Sequence, residues 1–351
     1  LFYKYLLFSI FVLTVKLLRI ILFVLTVGLY SVKGKDIHFS QFSGSLLNLN
    51  PSLTGFFNGD YRVNAIYRTQ WSAVPVPYST ISFGGDHRFR PSSKNKNSIG
   101  VGLLFNNDRA GDARYGITQL YGSGSYIYSA KEDSSLLISG GLNLGLNQVG
   151  FDYNKMTFDS QFDGLNYNSS DPTGENFDWT NYTYLDLNMG FAAQYLLNRR
   201  QRFILATSLN HLTTPKITYQ GNNLSKLDFR TGVYAFFSTP VSNNVDLIAE
   251  LNYNRQGKYN ELLPHASLKY YLKKDANQAV LGGLSLRAKD AFILRGGYTY
   301  RDLQAGIAYD INTSKFTAAT NRRGGFEIYV IYIMFKKYQT IIKKKPCPVF
   351  M

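Results

Sequence analysis

The sequence predicts an all-β fold, a transmembrane antiparallel β-barrel of about 14 strands, and three observations carry the prediction. From residue 60 onward, stretches of about ten residues alternate apolar and polar side chains and end in turns. In a strand successive side chains face opposite sides, so this period of two gives one apolar and one polar face. The stretches are also long, about 9–15 residues, whereas strands of soluble sandwiches usually run about 5–6. That length crosses a bilayer at a tilt. Finally, the amino terminus reads as an export signal.

That signal begins with Lys16 and Arg19, continues through the apolar stretch Ile20–Tyr30 and ends in Ser31-Val32-Lys33-Gly34. A charged start, a short apolar run and small residues at a cleavage point define a secretory leader. Cleavage after Gly34 places Val32 and Gly34 at −3 and −1. A membrane anchor needs a longer run, uninterrupted by Lys33. Phe-Val-Leu-Thr-Val occurs at 11–15 and again at 23–27, so residues 1–14 read as an extension upstream of a complete leader.

Next comes a segment, 35–59, in which Pro51 fixes φ and Gly55 and Gly59 allow positive φ; it is expected to be a turn-rich plug or collar. The alternating stretches follow at 60–68, 78–88, 98–107, 115–129, 134–149, 181–197, 203–212, 227–239, 244–254, 263–273, 278–288, 291–300, 302–311 and 324–335. In one, Ile138, Leu142, Leu144 and Leu146 oppose Ser139, Gly141, Asn143 and Asn147; in another, Leu303, Ala305, Ile307 and Tyr309 oppose Gln304, Gly306, Ala308 and Asp310. Closing the sheet removes edges that an open array would expose. Tyr61, Tyr67, Tyr126, Tyr128, Tyr298, Tyr300, Tyr329 and Tyr332 lie near strand ends, where interfacial aromatics belong. Residues 336–351 form a basic tail.

The net charge of +15 resolves once it is placed. Lys4, Lys16, Arg19 and Lys33 belong to the leader, and Lys336, Lys337, Lys343, Lys344 and Lys345 to the tail. An even strand number puts both ends of the barrel on one side, read as periplasmic. On that side fall the shorter connections, with Arg199, Arg200, Arg202, Lys273 and Lys274 in a basic rim. The longer connections fall opposite, at 69–77, 108–114, 150–180, 213–226, 255–262 and 312–323. The longest is acidic, with Asp152, Asp159, Asp163, Asp171, Glu175 and Asp178 against Lys155. A nucleic-acid module is absent from the sequence, and export argues against one. The expected place is the outer membrane with both termini periplasmic, the bilayer being the first partner.

Little in the sequence points to catalysis or a cofactor. The four histidines, His38, His87, His211 and His265, lie outside any metalloprotease, serine-hydrolase or phosphate-loop motif. Ser208 and His211 are the nearest Ser/His pair, and three residues apart on a strand they are expected on opposite faces. Acids in 150–180 lack calcium-loop spacing and read as a solvated loop. Single Cys347 excludes a disulfide framework. Asp228, Arg230, Asp246 and Glu250 are expected to line a polar lumen of otherwise sparse charge.

The blocks Asp36-Ile37-His38-Phe39-Ser40-Gln41-Phe42 and Asn50-Pro51-Ser52-Leu53-Thr54-Gly55, followed by Tyr61-Arg62 and Tyr67-Arg68-Thr69-Gln70-Trp71, resemble the PorP/SprF family of type IX secretion and gliding-motility outer-membrane proteins of Bacteroidetes. Tyr309-Asp310 and Gly324-Gly325-Phe326-Glu327 look like the same family. The resemblance implies a non-catalytic barrel that works with secretion and gliding-machinery proteins and periplasmic or wall-associated partners. Its cargo would be secreted adhesins bearing a sorting domain. A diffusion porin is the alternative, although fourteen strands fall below the roughly 16–18 of water-filled porins. The motif residues are expected to pack the N-terminal segment into the periplasmic mouth, with His38, Arg62, Arg68 and Gln70 pinning it, or else to touch cargo.

Overall fold

The computed structural model describes residues 36–336 apart from 71–77, 91–95, 132, 176, 178, 199, 218, 220–225, 275–276 and 315–319. The expected leader, Trp71, Arg199 and the tail lysines Lys343, Lys344 and Lys345 lie outside the described residues.

Fourteen strands run in order around a closed antiparallel barrel. They are β1 Tyr61–Gln70, β2 Tyr78–Phe89, β3 Ser98–Ala110, β4 Tyr115–Ser129, β5 Leu136–Gly150, β6 Asn181–Leu196 and β7 Arg202–Asn210, then β8 Arg230–Pro240, β9 Val245–Gln256, β10 Tyr259–Lys273, β11 Gln278–Arg287, β12 Ala291–Tyr300, β13 Leu303–Asn312 and β14 Arg323–Met334. Each strand pairs with its sequence neighbours, and β1 closes on β14 from Tyr61↔Met334 to Gln70↔Gly325. We call the end where β1 starts and β14 finishes the turn end, and the other the loop end.

The period-two pattern sorts the side chains as expected. Leu142, Leu144, Leu185, Phe191 and Ile307 are exposed on the outer wall, while Ser139, Asn143, Asp186, Asn188 and Asp310 are buried inside. This is the reverse of a water-soluble core, and it suits a wall whose outer solvent is hydrocarbon. Among the expected girdle residues, Tyr67, Tyr126, Tyr128, Tyr298, Tyr300 and Tyr332 face outward. Tyr329 is the exception: it faces the lumen and packs on Phe39 and Ile66.

Two boundaries move for identifiable reasons. The expected loop at 255–262 is a tight hairpin, because Gly257 takes φ 55° and lets β10 start at Tyr259. Pro264 is tolerated inside β10 because the pairing with β11 runs only from His265↔Ser285.

What fills the barrel is its own amino-terminal segment. A 3-10 turn (Phe42–Gly44), a single helical turn (Leu46–Leu49) and a second 3-10 turn (Pro51–Leu53) follow one another inside the lumen. Phe42, Leu46, Leu49, Leu53 and Phe56 pack against the lumenal Ile127, Leu137, Ala206, Tyr234, Leu263 and Ile293. The segment does not stop at the mouth where β1 begins. Asp36 lies at the loop end and Asp60 at the turn end, so the chain descends the whole lumen before entering β1.

Lumenal glycines make room for this descent. Thr54 and Gly55 press on Gly100, the Pro51 carbonyl on Gly141 and the Asn50 side chain on Gly190, so closely that a Cβ at any of the three would collide. Gly55 itself takes φ 66°, a conformation that favours glycine.

Candidate functional site

Three groups of buried charged side chains hold the segment, and cross-strand register assembles each. At the loop end, Arg68 of β1 faces Glu327 of β14 in the ladder. Glu327 accepts the backbone amides of Ser40 (2.6 Å) and Gln41 (2.7 Å), and Arg68 donates to the His38 carbonyl (2.7 Å). Asp310 accepts the Ser40 hydroxyl (2.7 Å) and pairs with Arg68 (3.3 Å) and Arg287 (3.1 Å). Arg287 in turn pairs with Glu261 (3.2 Å) and donates to Ser40 Oγ. Three carboxylates and two guanidiniums thus gather around a single turn of backbone. Charge-assisted bonds of this kind are strong, and a buried charge that loses its partner is costly.

At mid-height Glu250 faces His265 across β9 and β10. Glu250 lies 3.2 Å from His265 Nδ1 and 3.4 Å from Arg295, and it accepts from Tyr234 (3.3 Å) and Ser43 (3.4 Å). Arg295 also contacts His265 Nδ1. The Phe42 ring stands edge-on to both Tyr234 (6.0 Å) and His265 (5.9 Å).

Near the turn end, Arg62 faces Asp86 across β1 and β2 and binds it through Nε (2.9 Å) and Nη2 (2.7 Å). Asp86 accepts the Gly55 amide (2.7 Å), while Arg62 donates to the Leu53 carbonyl (3.0 Å) and stacks on Phe57. Asp60 then ties the seam, accepting from Arg90 (2.6 Å) and from the Lys336 amide (2.8 Å).

Asn48 and Asn50 hold the segment between these groups. Asn48 bonds Ser82 and Asn106 of the wall, and Asn50 caps the second 3-10 turn while donating to the Thr207 carbonyl (2.7 Å). Thr54 donates to Ser123, and its carbonyl accepts from Ser125 (2.6 Å).

The segment's outermost described residue has its own anchor. Asp36 accepts from His211 Nε2 (2.7 Å), lies 3.0 Å from Arg230 and accepts from Gln256 (3.3 Å). The other ring nitrogen of His211 meets Asp186 at 2.9 Å. Burial disfavours the imidazolium, but the carboxylates on its two nitrogens outweigh it and push His211 up to about 9. Burial likewise opposes the Asp36 charge; His211 and Arg230 overcome it and hold that carboxyl well below the usual range.

A pH dependence follows. His211 titrates near 6.5 when unfolded, so its contribution is complete below that pH and is lost as pH rises through about 9. Resistance of the segment to a non-specific protease is expected to fall between pH 7 and 10 in the wild type. His211→Gln should show a flatter profile; identical profiles would contradict the assignment.

The motif residues therefore divide. Asp36, His38, Phe39, Gln41, Phe42, Asn50, Pro51, Thr54, Gly55, Arg62, Arg68, Asp310 and Glu327 meet in the lumen, His38 accepting from Arg68 through its carbonyl. Tyr61 stacks on His87, Gln70 ends β1 opposite Gly325, and Tyr309 faces outward. Gly324 fits against the Asp310 backbone. The segment runs through the lumen rather than filling only one mouth. Lumenal charge is abundant and paired, not sparse, although Asp228 is exposed. Ser208 and His211 are both buried inside, because His211 takes φ 61° just past β7; its ring turns to Asp186 and Asp36, and Ser208 bonds Asn210.

The basic rim divides as well. Arg200 binds Asp246 (2.8 Å) and three carbonyls, and Arg202 lies over the lumenal Phe236. Lys273 and Lys274 are exposed at the turn end.

The family model for type IX secretion system membrane protein PorP/SprF matches residues 31–332. The chain belongs to this family. As in the PorP/SprF resemblance of its opening blocks, the match spans the luminal segment and all but the last residues of the barrel. The toluene transporter TbuX of Ralstonia pickettii is a similar solved structure, with TM-score 0.52 and 10% identity, covering 84% of this chain and 94% of that one. The Pseudomonas putida toluene transporter TodX aligns with TM-score 0.47 at 10% identity over 83% and 93% of the two chains. The first likeness shows a shared outer-membrane barrel fold. No curated protein matches the chain.

Proposed function

We propose that this PorP/SprF-family barrel is a non-catalytic platform of the type IX machinery, supporting export and surface attachment of sorting-domain-bearing cargo such as adhesins. The observation that carries this reading is the occupied lumen. Buried ion pairs fix the chain's own segment from the loop end to the turn end, an arrangement suited to a rigid support more than to a diffusion path. In this reading residues 1–34 are a removed leader. The turn end and the tail 336–351 face the periplasm, where Lys273 and Lys274 are available to gliding-machinery or wall-associated partners. The long loops face outward.

Deletion of the gene, followed by comparison of secreted and surface proteins, tests the platform. Loss or release of one or a few surface proteins is expected and identifies the cargo. An unchanged set of both would defeat the reading.

A further inference from the structure

The longest connection, 151–180, is built as a small folded unit. Phe151, Tyr153, Phe177, Tyr182 and Tyr219 form edge-on aromatic contacts at its base. Above them Gln161, almost wholly buried, donates to the carbonyls of Ser169 and Asp171 and accepts from Tyr167 OH.

From this base projects a short hairpin. Phe162 and Tyr167 form a β-bridge, the Asp163 amide donates to the Asn166 carbonyl (3.1 Å), and Gly164 takes φ 96° at the bend. Asp163 Oδ1 accepts the amides of Leu165 (2.8 Å) and Asn166 (2.6 Å), which fixes the tip and holds that carboxyl below its usual range. Leu165 stands at the tip 87% exposed, flanked by Phe162 and Tyr167, each about half exposed.

A lone exposed leucine needs no explanation, but three apolar side chains on a braced hairpin form a patch. Bracing also lowers the ordering cost of docking. The charge of the unit is predominantly negative: residues 151–180 contain Asp152, Asp159, Asp163, Asp171, Glu175 and Asp178 against the single Lys155, which pairs with Asp152. Such a tip repels anionic headgroups and a second copy of itself, and it complements a basic surface.

We propose that the 162–167 hairpin is a docking knob for a protein held at the cell surface, with Leu165 seated in an apolar pocket whose rim is rich in lysine and arginine. This rests on the platform reading, which turns the loop end outward, and it names the surface that cargo meets.

The test uses the full-length protein in its own outer membrane, replacing the deleted gene, with barrel folding verified by heat-modifiable gel mobility. Leu165→Asp should lower retention of a surface protein about tenfold, as expected for loss of a central anchor. The double variant Asp159→Asn/Asp171→Asn should weaken retention and reduce its salt sensitivity. A photo-crosslinking residue at position 165 should capture the same protein through a segment flanked by basic residues. Wild-type retention in Leu165→Asp would overturn the knob while leaving the platform standing, provided the deletion itself releases cargo. A deletion without effect overturns both. Crosslinking to lipid, to a second copy or to an acidic segment also overturns the knob.

Discussion

Replacing Glu327 with alanine is expected to destabilise the folded barrel by about 3–5 kcal/mol, the usual cost of breaking a buried ion pair from one side. The change strands the Ser40 and Gln41 amides and leaves Arg68, 1% exposed, with Asp310 as its remaining carboxylate partner. It removes two of the bonds that hold the amino-terminal segment to the wall at the loop end while leaving the outer face untouched. Urea unfolding in lipid vesicles reads the stability. Limited proteolysis of residues 36–60 reads release of the segment. Glu327→Gln, which keeps the shape and one acceptor, should lie between alanine and wild type. Wild-type stability in Glu327→Ala would mean that this cluster does not anchor the segment.

The second large effect belongs to Phe42. Its ring is 2% exposed and sits between Tyr234 and His265 beside the Glu250 cluster. Truncation to alanine removes the transfer free energy of the ring and leaves a cavity that rigid strands cannot close, together about 3–5 kcal/mol. The same urea titration should show the loss, and Phe42→Leu should recover much of it by refilling the volume. Equal stability for Phe42→Ala and wild type would remove the segment from the stability of the barrel.

The strands were legible because membrane-facing and lumen-facing positions alternate over long runs, and Leu142, Leu144 and Leu146 against Asn143 and Asn147 needed no partner to be read. The lumen was less legible. Alternation separates the two faces but does not say what occupies the inner one, so the segment was expected at one mouth although it runs between both ends. Register supplies the missing signal. Arg62 with Asp86, Arg68 with Glu327 and Glu250 with His265 are direct cross-strand neighbours, and aligning the alternating stretches would have paired them. Gly100, Gly141 and Gly190, at inward positions of long strands, mark where the segment comes close, by its backbone at the first two and by the Asn50 side chain at the third. His211 was misplaced for a local reason: one residue with positive φ just beyond β7 turns its side chain back into the lumen.

The chain's own segment occupies the lumen, and in the proposed reading the barrel is a support whose lumen stays shut. Planar-bilayer recording of the purified protein tests this most directly. No steady conductance is expected in the wild type, and open steps are expected to appear in Glu327→Ala, where the loop-end anchor is weakened. A steady open pore in the wild type would contradict that reading and return the barrel to the channels.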